Sequence, residues 1–259
     1  MFVENLDEVP SGQRVIFSAH GVAPSEWDRA KERALKVIDA TCPLVTKVHL
    51  EVERYAREGR TVILVGHAGH EEVKGTLGVA PGQVLLVGNE QEALALQVPD
   101  AAYVAAVTQT TLSIDDTRHI IEALKRRFPE LITPKSDDIC YATQNRQNAV
   151  KELAQLADAI LVVGSPQSSN ASRLVEVARA HGTSSYLVDS IRDLRPEMLS
   201  GVRTLGLTAS ASSPEWLVEE IIDAFERSGA KVELLSVATE RIHFPLPLSE
   251  GERLGTSEV

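Results

Sequence analysis

DATCPLVTKVHLEVERYAREGRTVILVG, residues 39–66, is the stretch that decides the fold. A β-branched run, KVIDA (36–40), stops at Asp39, and Cys42 follows with a proline directly behind it. Apolar residues then recur near a 3.6 period over 45–59, which predicts an amphipathic helix, and TVILVGH (61–67) reads as a buried strand. The pattern recurs. Asp138-Ile-Cys140 opens a second helix, and the distance from Cys42 to Gly66, 24 residues, equals that from Cys140 to Gly164. Thr108-Gln-Thr-Thr-Leu-Ser113 and Thr208-Ala-Ser-Ala-Ser-Ser213 end later strands, 66 and 68 residues after their cysteines. An amphipathic helix follows each, over 115–127 and 214–229. The chain thus holds two copies of one unit: cysteine, helix, strand, polar loop, then strand, Thr/Ser-rich loop, helix.

A third, partial copy stands at the front. Val15-Ile-Phe-Ser18-Ala-His20-Gly-Val-Ala-Pro24-Ser-Glu-Trp27 parallels Leu207-Thr208-Ala-Ser210-Ala-Ser-Ser-Pro214-Glu-Trp216. By repeat arithmetic, the cysteine of that unit is expected roughly 50 residues upstream of Met1. Further strands are predicted at 14–20, 83–88, 102–108, 159–165, 185–189 and 203–209. Alternation of strands and helices at these lengths means α/β architecture with parallel sheets, whose ligands bind beyond the C-terminal strand ends.

Composition narrows the function. The formal net charge is −11, Lys and Arg form no stripe, and aromatics are 4% of the chain. Nucleic-acid binding needs a basic footprint or stacking surfaces, so it is set aside. No apolar run approaches the ~18–20 residues of a membrane span. The first residues carry no signal-peptide pattern, and two cysteines do not make a secreted disulfide framework, so the expected compartment is the cytoplasm.

The chemistry-bearing residues fall in the loops after strands. Three units around a common centre would gather three thiolates, a donor set suited to an iron–sulfur cluster with one open iron position. Taken singly, Cys42 and Cys140 also read as small buried side chains. His67, His70, Glu71 and Glu72 crowd the loop 65–75, where a histidine can bind phosphate and a carboxylate can act as a general acid. For any one glutamate, a solvated loop position is the ordinary alternative. Ser168, Ser169 and Asn170 open a helical pattern, either as caps or as phosphate donors. Thr110 and Ser212 lie in the Thr/Ser loops of the two full units, and His20 lies in the matching loop of the partial one. Neutral hydroxyls with histidines suit a diphosphate ligand without a basic surface.

Six segments in order, FSAHGV, DATCPLVTKVH, GHAGHEEVKGT, TQTTLSIDDT, DDICYATQNRQ and GSPQSSNASRL, resemble the IspH (LytB) family of 4-hydroxy-3-methylbut-2-enyl diphosphate reductases, over about residues 1–245. The resemblance implies a trefoil of three pseudo-symmetric α/β lobes around a central 4Fe-4S cluster. The expected divisions are an incomplete first lobe at 1–41 joined by the tail 233–259, a second at 42–139 and a third at 140–232. It also implies reductive removal of an allylic hydroxyl, the last step of the non-mevalonate isoprenoid pathway, with a ferredoxin or flavodoxin as electron donor. Carried over by motif, Cys42 and Cys140 match two of three cluster ligands. His20, His70, Ser168, Ser169, Asn170 and Ser212 match the diphosphate-binding set. Glu72 matches the proton-delivering carboxylate, and Thr110 the threonine bonded to it and to the substrate hydroxyl. The family's opening glycine–phenylalanine–cysteine motif and one early histidine have no counterpart here. The expectation is therefore a late start or a degraded copy, with a cluster poorly held by two thiolates. The other readings of the residues are a diphosphate-binding remnant without a cluster, and a zinc protein, for which the ligand spacing is poor.

Overall fold

A computed structural model describes residues 3–134 and 138–239. The eight predicted strands all form, seven a little shorter than the sequence run and β7 shifted by one residue: β1 (Arg14–Phe17), β2 (Lys36–Asp39), β3 (Thr61–Val65), β4 (Val84–Val87), β5 (Val104–Thr108), β6 (Ala159–Val163), β7 (Ser184–Val188) and β8 (Leu205–Ala209). Helices lie between and after them: α1 (Pro24–Glu32), α2 (Pro43–Arg57), α3 (Glu71–Leu77), α4 (Glu90–Ala95), α5 (Ile114–Arg127), α6 (Tyr141–Leu156), α7 (Ser169–Ala180) and α8 (Glu215–Arg227). β5 and β8 end where expected and start later; the other six end early, because the ladder stops where the chain turns out into the polar loops. From residue 240 onward, the tail expected to join the first lobe lies outside the described residues.

Every strand pair is parallel. One sheet pairs β1 with β2, a second runs β4-β3-β5 and a third runs β7-β6-β8. The second and third share one strand order relative to their cysteines, as the repeat requires. Their central strands read TVILV and AILVV, and all residues but Thr61 are buried. A parallel strand covered on both faces needs such an unbroken apolar run.

The chain divides into two compact units. The first comprises the described residues of Met1–Thr110 and Asp116–Asp138, with the two-stranded sheet and the β4-β3-β5 sheet. In it, α2 buries Val48, Val52 and Tyr55, one face of a helix, against Val62, Leu64, Ala105 and Val107. The second comprises the described residues of Thr111–Asp115 and Ile139–Arg241, built on β7-β6-β8. Here Val150 of α6 and Leu174 and Ala178 of α7 pack with Ile160 and Val162.

The repeat extends to the strand ends. Gln109 donates its N–H to the carbonyl of Val65 at 2.8 Å, and Ser210 donates its N–H to that of Val163 at 2.8 Å. A glycine follows each central strand. A Cβ on Gly66 would stand 2.7 Å from Val73 Cγ2 and 3.3 Å from Gln109 Oε1, and one on Gly164 would stand 2.7 Å from Ala171 Cβ and 3.1 Å from Ser210 Oγ. In each sheet the bare glycine lets the next helix and the Thr/Ser loop close over the strand end.

Candidate functional site

In the first unit, the loop after β3 and the end of β5 meet at a buried carboxylate. Glu72, in the first turn of α3, is 1% exposed. Its Oε1 accepts the N–H of Thr110 at 2.6 Å, and its Oε2 accepts the Thr110 hydroxyl at 2.9 Å. Burial pushes the Glu72 carboxyl up to about 7, against the two bonds from Thr110, which pull it down. A carboxyl poised there holds or releases a proton near neutral pH.

His70 caps α3, its Nδ1 accepting the N–H of Glu72 at 3.2 Å. Burial first, then the neighbouring His20 and His67, lower its pKa to about 4. The ring is therefore neutral at pH 7, and the bond accepted at Nδ1 assigns the proton to Nε2. His20, on the loop after β1, stands edge-on to it with ring centroids 5.1 Å apart and an interplanar angle of 79°. Burial lowers the pKa of His20 as well.

Gly75 of α3 and Gly78, which caps its C-terminus, bring those loops together. A Cβ on Gly75 would stand 3.1 Å from the carbonyl oxygen of Gly21, and one on Gly78 would overlap Ala23 Cβ. Gly21 itself sits at φ +72, a left-handed conformation that a side chain would strain. Of the other residues in loop 65–75, His67 donates its N–H to Gln109 Oε1 at 3.0 Å, while Glu71 is exposed and pairs with Lys74 at 2.7 Å.

Cys42 and Cys140 are both free, partly buried thiols at the caps of α2 and α6. Their backbones nearly superpose in conformation, φ −60, ψ 132 and φ −59, ψ 130, and neither sulfur makes a capping hydrogen bond. Soft donors unused by the fold, each at the start of a long helix, fit the ligand chemistry of an iron–sulfur cluster. Among the described residues, no group of three or more His, Cys, Asp or Glu is placed to hold a metal ion, so the zinc alternative finds no such site there.

In the second unit, Ser168 is a cap, its Oγ accepting the N–H of Ala171 at 3.3 Å. Ser169 Oγ accepts the Thr111 hydroxyl at 3.3 Å. Asn170 does neither. It is 6% exposed, and its Nδ2 and Oδ1 have no hydrogen-bond partner among the described residues. A buried amide left unpaired is costly, which makes it the clearest mark of a polar ligand in this loop. Ser212 shares a hydrogen bond with Ser210 at 3.2 Å, and Ser210 lies against Gly164 at the end of β6.

Residues 1–226 match the family model described as LytB protein. The chain belongs to the LytB protein family. Similar curated LytB relatives are the 4-hydroxy-3-methylbut-2-enyl diphosphate reductase of Nitrosomonas europaea, 49% identical over 96% of this chain and 80% of that protein, and that of Acidothermus cellulolyticus, 53% identical over 95% and 73%. Among solved structures, the E-1-hydroxy-2-methyl-but-2-enyl-4-diphosphate reductase of Plasmodium falciparum matches with a TM-score of 0.91 at 37% identity, over 95% of this chain and 79% of that one. The LytB family is one of iron–sulfur oxidoreductases. No helix among the described residues is long and apolar enough to cross a membrane.

The motif pattern gives no role to Gln109, whose side chain accepts the N–H of His67. Its polar place between two threonines at the end of a buried strand was the available signal. The pattern also assigns nothing to Lys47, which pairs with Asp138 at 3.1 Å across 91 residues.

Proposed function

We propose that the chain removes the allylic hydroxyl of 4-hydroxy-3-methylbut-2-enyl diphosphate as water, consuming two electrons and two protons and giving isopentenyl and dimethylallyl diphosphates. Cys42 and Cys140 would hold a 4Fe-4S cluster, which when bound supplies the electrons, delivered by a ferredoxin or flavodoxin, and a Lewis-acidic iron. The chain's own residues do the rest. Glu72 gives its proton to the departing oxygen. Thr110 holds that carboxyl through its N–H, and its hydroxyl can exchange its bond to Oε2 for one to the substrate hydroxyl. His70, neutral with its proton on Nε2, and His20 are donors to phosphate oxygens. In the second unit, the Asn170 amide is the corresponding polar donor, with the hydroxyls of Ser168, Ser169 and Ser212.

The observation that carries this reading is Glu72: a carboxyl 1% exposed, bonded twice to one threonine and raised to about 7. The burial disfavours its charge and so keeps a proton ready on the carboxyl. The test is Glu72→Gln. It keeps the shape, so iron content and affinity for the diphosphate stay within a few-fold. Turnover falls by ~10²–10⁴, the usual worth of a positioned acid. The exposed Glu71→Gln is the control and stays near normal. Near-normal turnover in Glu72→Gln would move the proton to Glu71 or to the substrate's own phosphate.

A further inference from the structure

The repeated aspartate ahead of each cysteine has no part in the chemistry above. Asp39 ends β2 and accepts the N–H of Thr41 at 3.0 Å, a local turn. Asp138 does something different. Its side chain is 1% exposed. One oxygen accepts from Lys47 Nζ at 3.1 Å, and the other accepts the N–H of Thr108 at 3.0 Å. Lys47 lies in the second turn of α2, the helix that Cys42 caps. Thr108 is the last residue of β5, two before Thr110. One buried carboxylate therefore joins the cysteine-bearing helix to the strand end that holds Glu72.

Packing alone does not fix this relationship. Apolar contacts between α2 and the β3–β5 face, made by Val48, Val52 and Tyr55, are non-directional and tolerate small displacements. A carboxylate with one oxygen on each element does not, since a shift of about 1 Å breaks a bond of ordinary length. We infer that the Asp138–Lys47 pair is a positioning device: it sets the register of α2, and with it Cys42, against the Thr110 end of β5. The inference rests on the proposed roles of Cys42 and Glu72. Asp138 and Lys47 act through Cys42 and Thr110, as positioning residues.

The test uses the reconstituted full-length protein with four variants: Asp138→Asn, Lys47→Gln, Lys47→Arg, and the double variant Asp138→Asn/Lys47→Met. The double variant matters most. It removes the pair without leaving a lone charge buried; the introduced amide nitrogen has no acceptor and costs some stability, which the melting measures directly. Melting of the iron-free protein, iron and sulfide per chain, the electron paramagnetic resonance signal of the reduced protein, and kcat and KM are measured for each.

The expected result for the double variant is a modestly lowered melting temperature with the chain still fully folded under assay conditions, a shifted or broadened resonance signal, and kcat lowered at least tenfold with KM within threefold. Lys47→Arg should recover most of the signal and the rate. If the double variant keeps both the signal and kcat, the pair does not position the site and the inference is wrong. If its losses only follow the fraction of chain folded, the pair is a stability feature and the inference is equally wrong. Cys42→Ser and Glu72→Gln, run alongside, test the underlying roles: normal iron in the first or normal kcat in the second would overturn those roles, whatever the clamp variants do.

Discussion

Glu72 and Thr110 stand 38 residues apart in sequence, and both carboxylate oxygens of Glu72 are bonded to that one threonine, at 2.6 and 2.9 Å. Burial keeps the carboxyl protonated up to about 7 in the folded state, whereas an unfolded glutamate releases its proton near 4.5. Between those values the folded chain binds more protons than the unfolded one. This group's contribution to stability therefore falls as pH rises from 4.5 to 7, and is level above that. Glu72→Gln removes the dependence. The stability of the variant relative to wild type should rise across this window by about 3 kcal/mol, following the size of the shift. Urea denaturation at pH 4.5, 6 and 8 measures it, and parallel curves for the two proteins would contradict the buried, neutral carboxyl.

Thr110→Val tests the same pair from the other side. The bonds from Thr110 lower the pKa of Glu72, so losing the hydroxyl moves it further up. The limb of the kcat–pH profile assigned to Glu72 should shift to higher pH, while Thr110→Ser, which keeps the hydroxyl, leaves it in place. A Thr110→Val profile that only drops in height would mean that the limb belongs to another group.

His70 has the opposite dependence. Its folded pKa, about 4, lies below the ordinary 6.5, so the unfolded state binds the extra proton between those values. The stability that this residue contributes is present above 6.5 and is lost as pH falls toward 4. His70→Asn, which can still accept the N–H of Glu72, should be less sensitive to acid than the wild type in thermal melts at pH 4.5 and 7. An equal loss in both would place the acid sensitivity in other groups.

Ser168 and Asn170 should separate capping from ligand binding. Ser168→Ala removes the α7 cap and should cost about 1 kcal/mol of stability. Asn170→Ala removes an amide that has no partner among the described residues, so its melting temperature should hold or rise. Its affinity for the allylic diphosphate should fall 10- to 100-fold, the worth of a charge-assisted bond at about 1.5–3 kcal/mol. Calorimetric titration and scanning calorimetry on the two variants give both quantities. Unchanged affinity in Asn170→Ala would remove it from the binding set.

Gly78→Ala should cost about 1–3 kcal/mol through overpacking, because the new methyl falls on Ala23 Cβ. The backbone there is ordinarily helical, at φ −73, so strain is not the cause. Pairing it with Ala23→Gly should recover most of the loss in chemical denaturation. No recovery would show that α3 does not pack on the His20 loop as described.

The sequence by itself determined the repeating unit, the eight strands and the residues that crowd their C-terminal ends. Those are local matters: apolar periodicity marks the face an element must bury, and glycine, proline and cap residues mark where it stops. The spacing of Cys42 to Gly66 and of Cys140 to Gly164 carried the architecture because equal units fold into equal sheets. Even so, GHAGHEEVKG by itself does not say which of its two glutamates is buried. Tertiary structure decided that. It buried Glu72 beside Thr110 and left Glu71 in solvent beside Lys74, and a pKa follows the surroundings rather than the residue type. It also decided that Ser168 caps while Asn170, two residues on in the same helix start, has no partner among the described residues. The bond from Lys47 to Asp138 spans 91 residues. Such a contact has no period to read, since it exists only once α2 and β5 have packed and brought their ends within reach of one carboxylate.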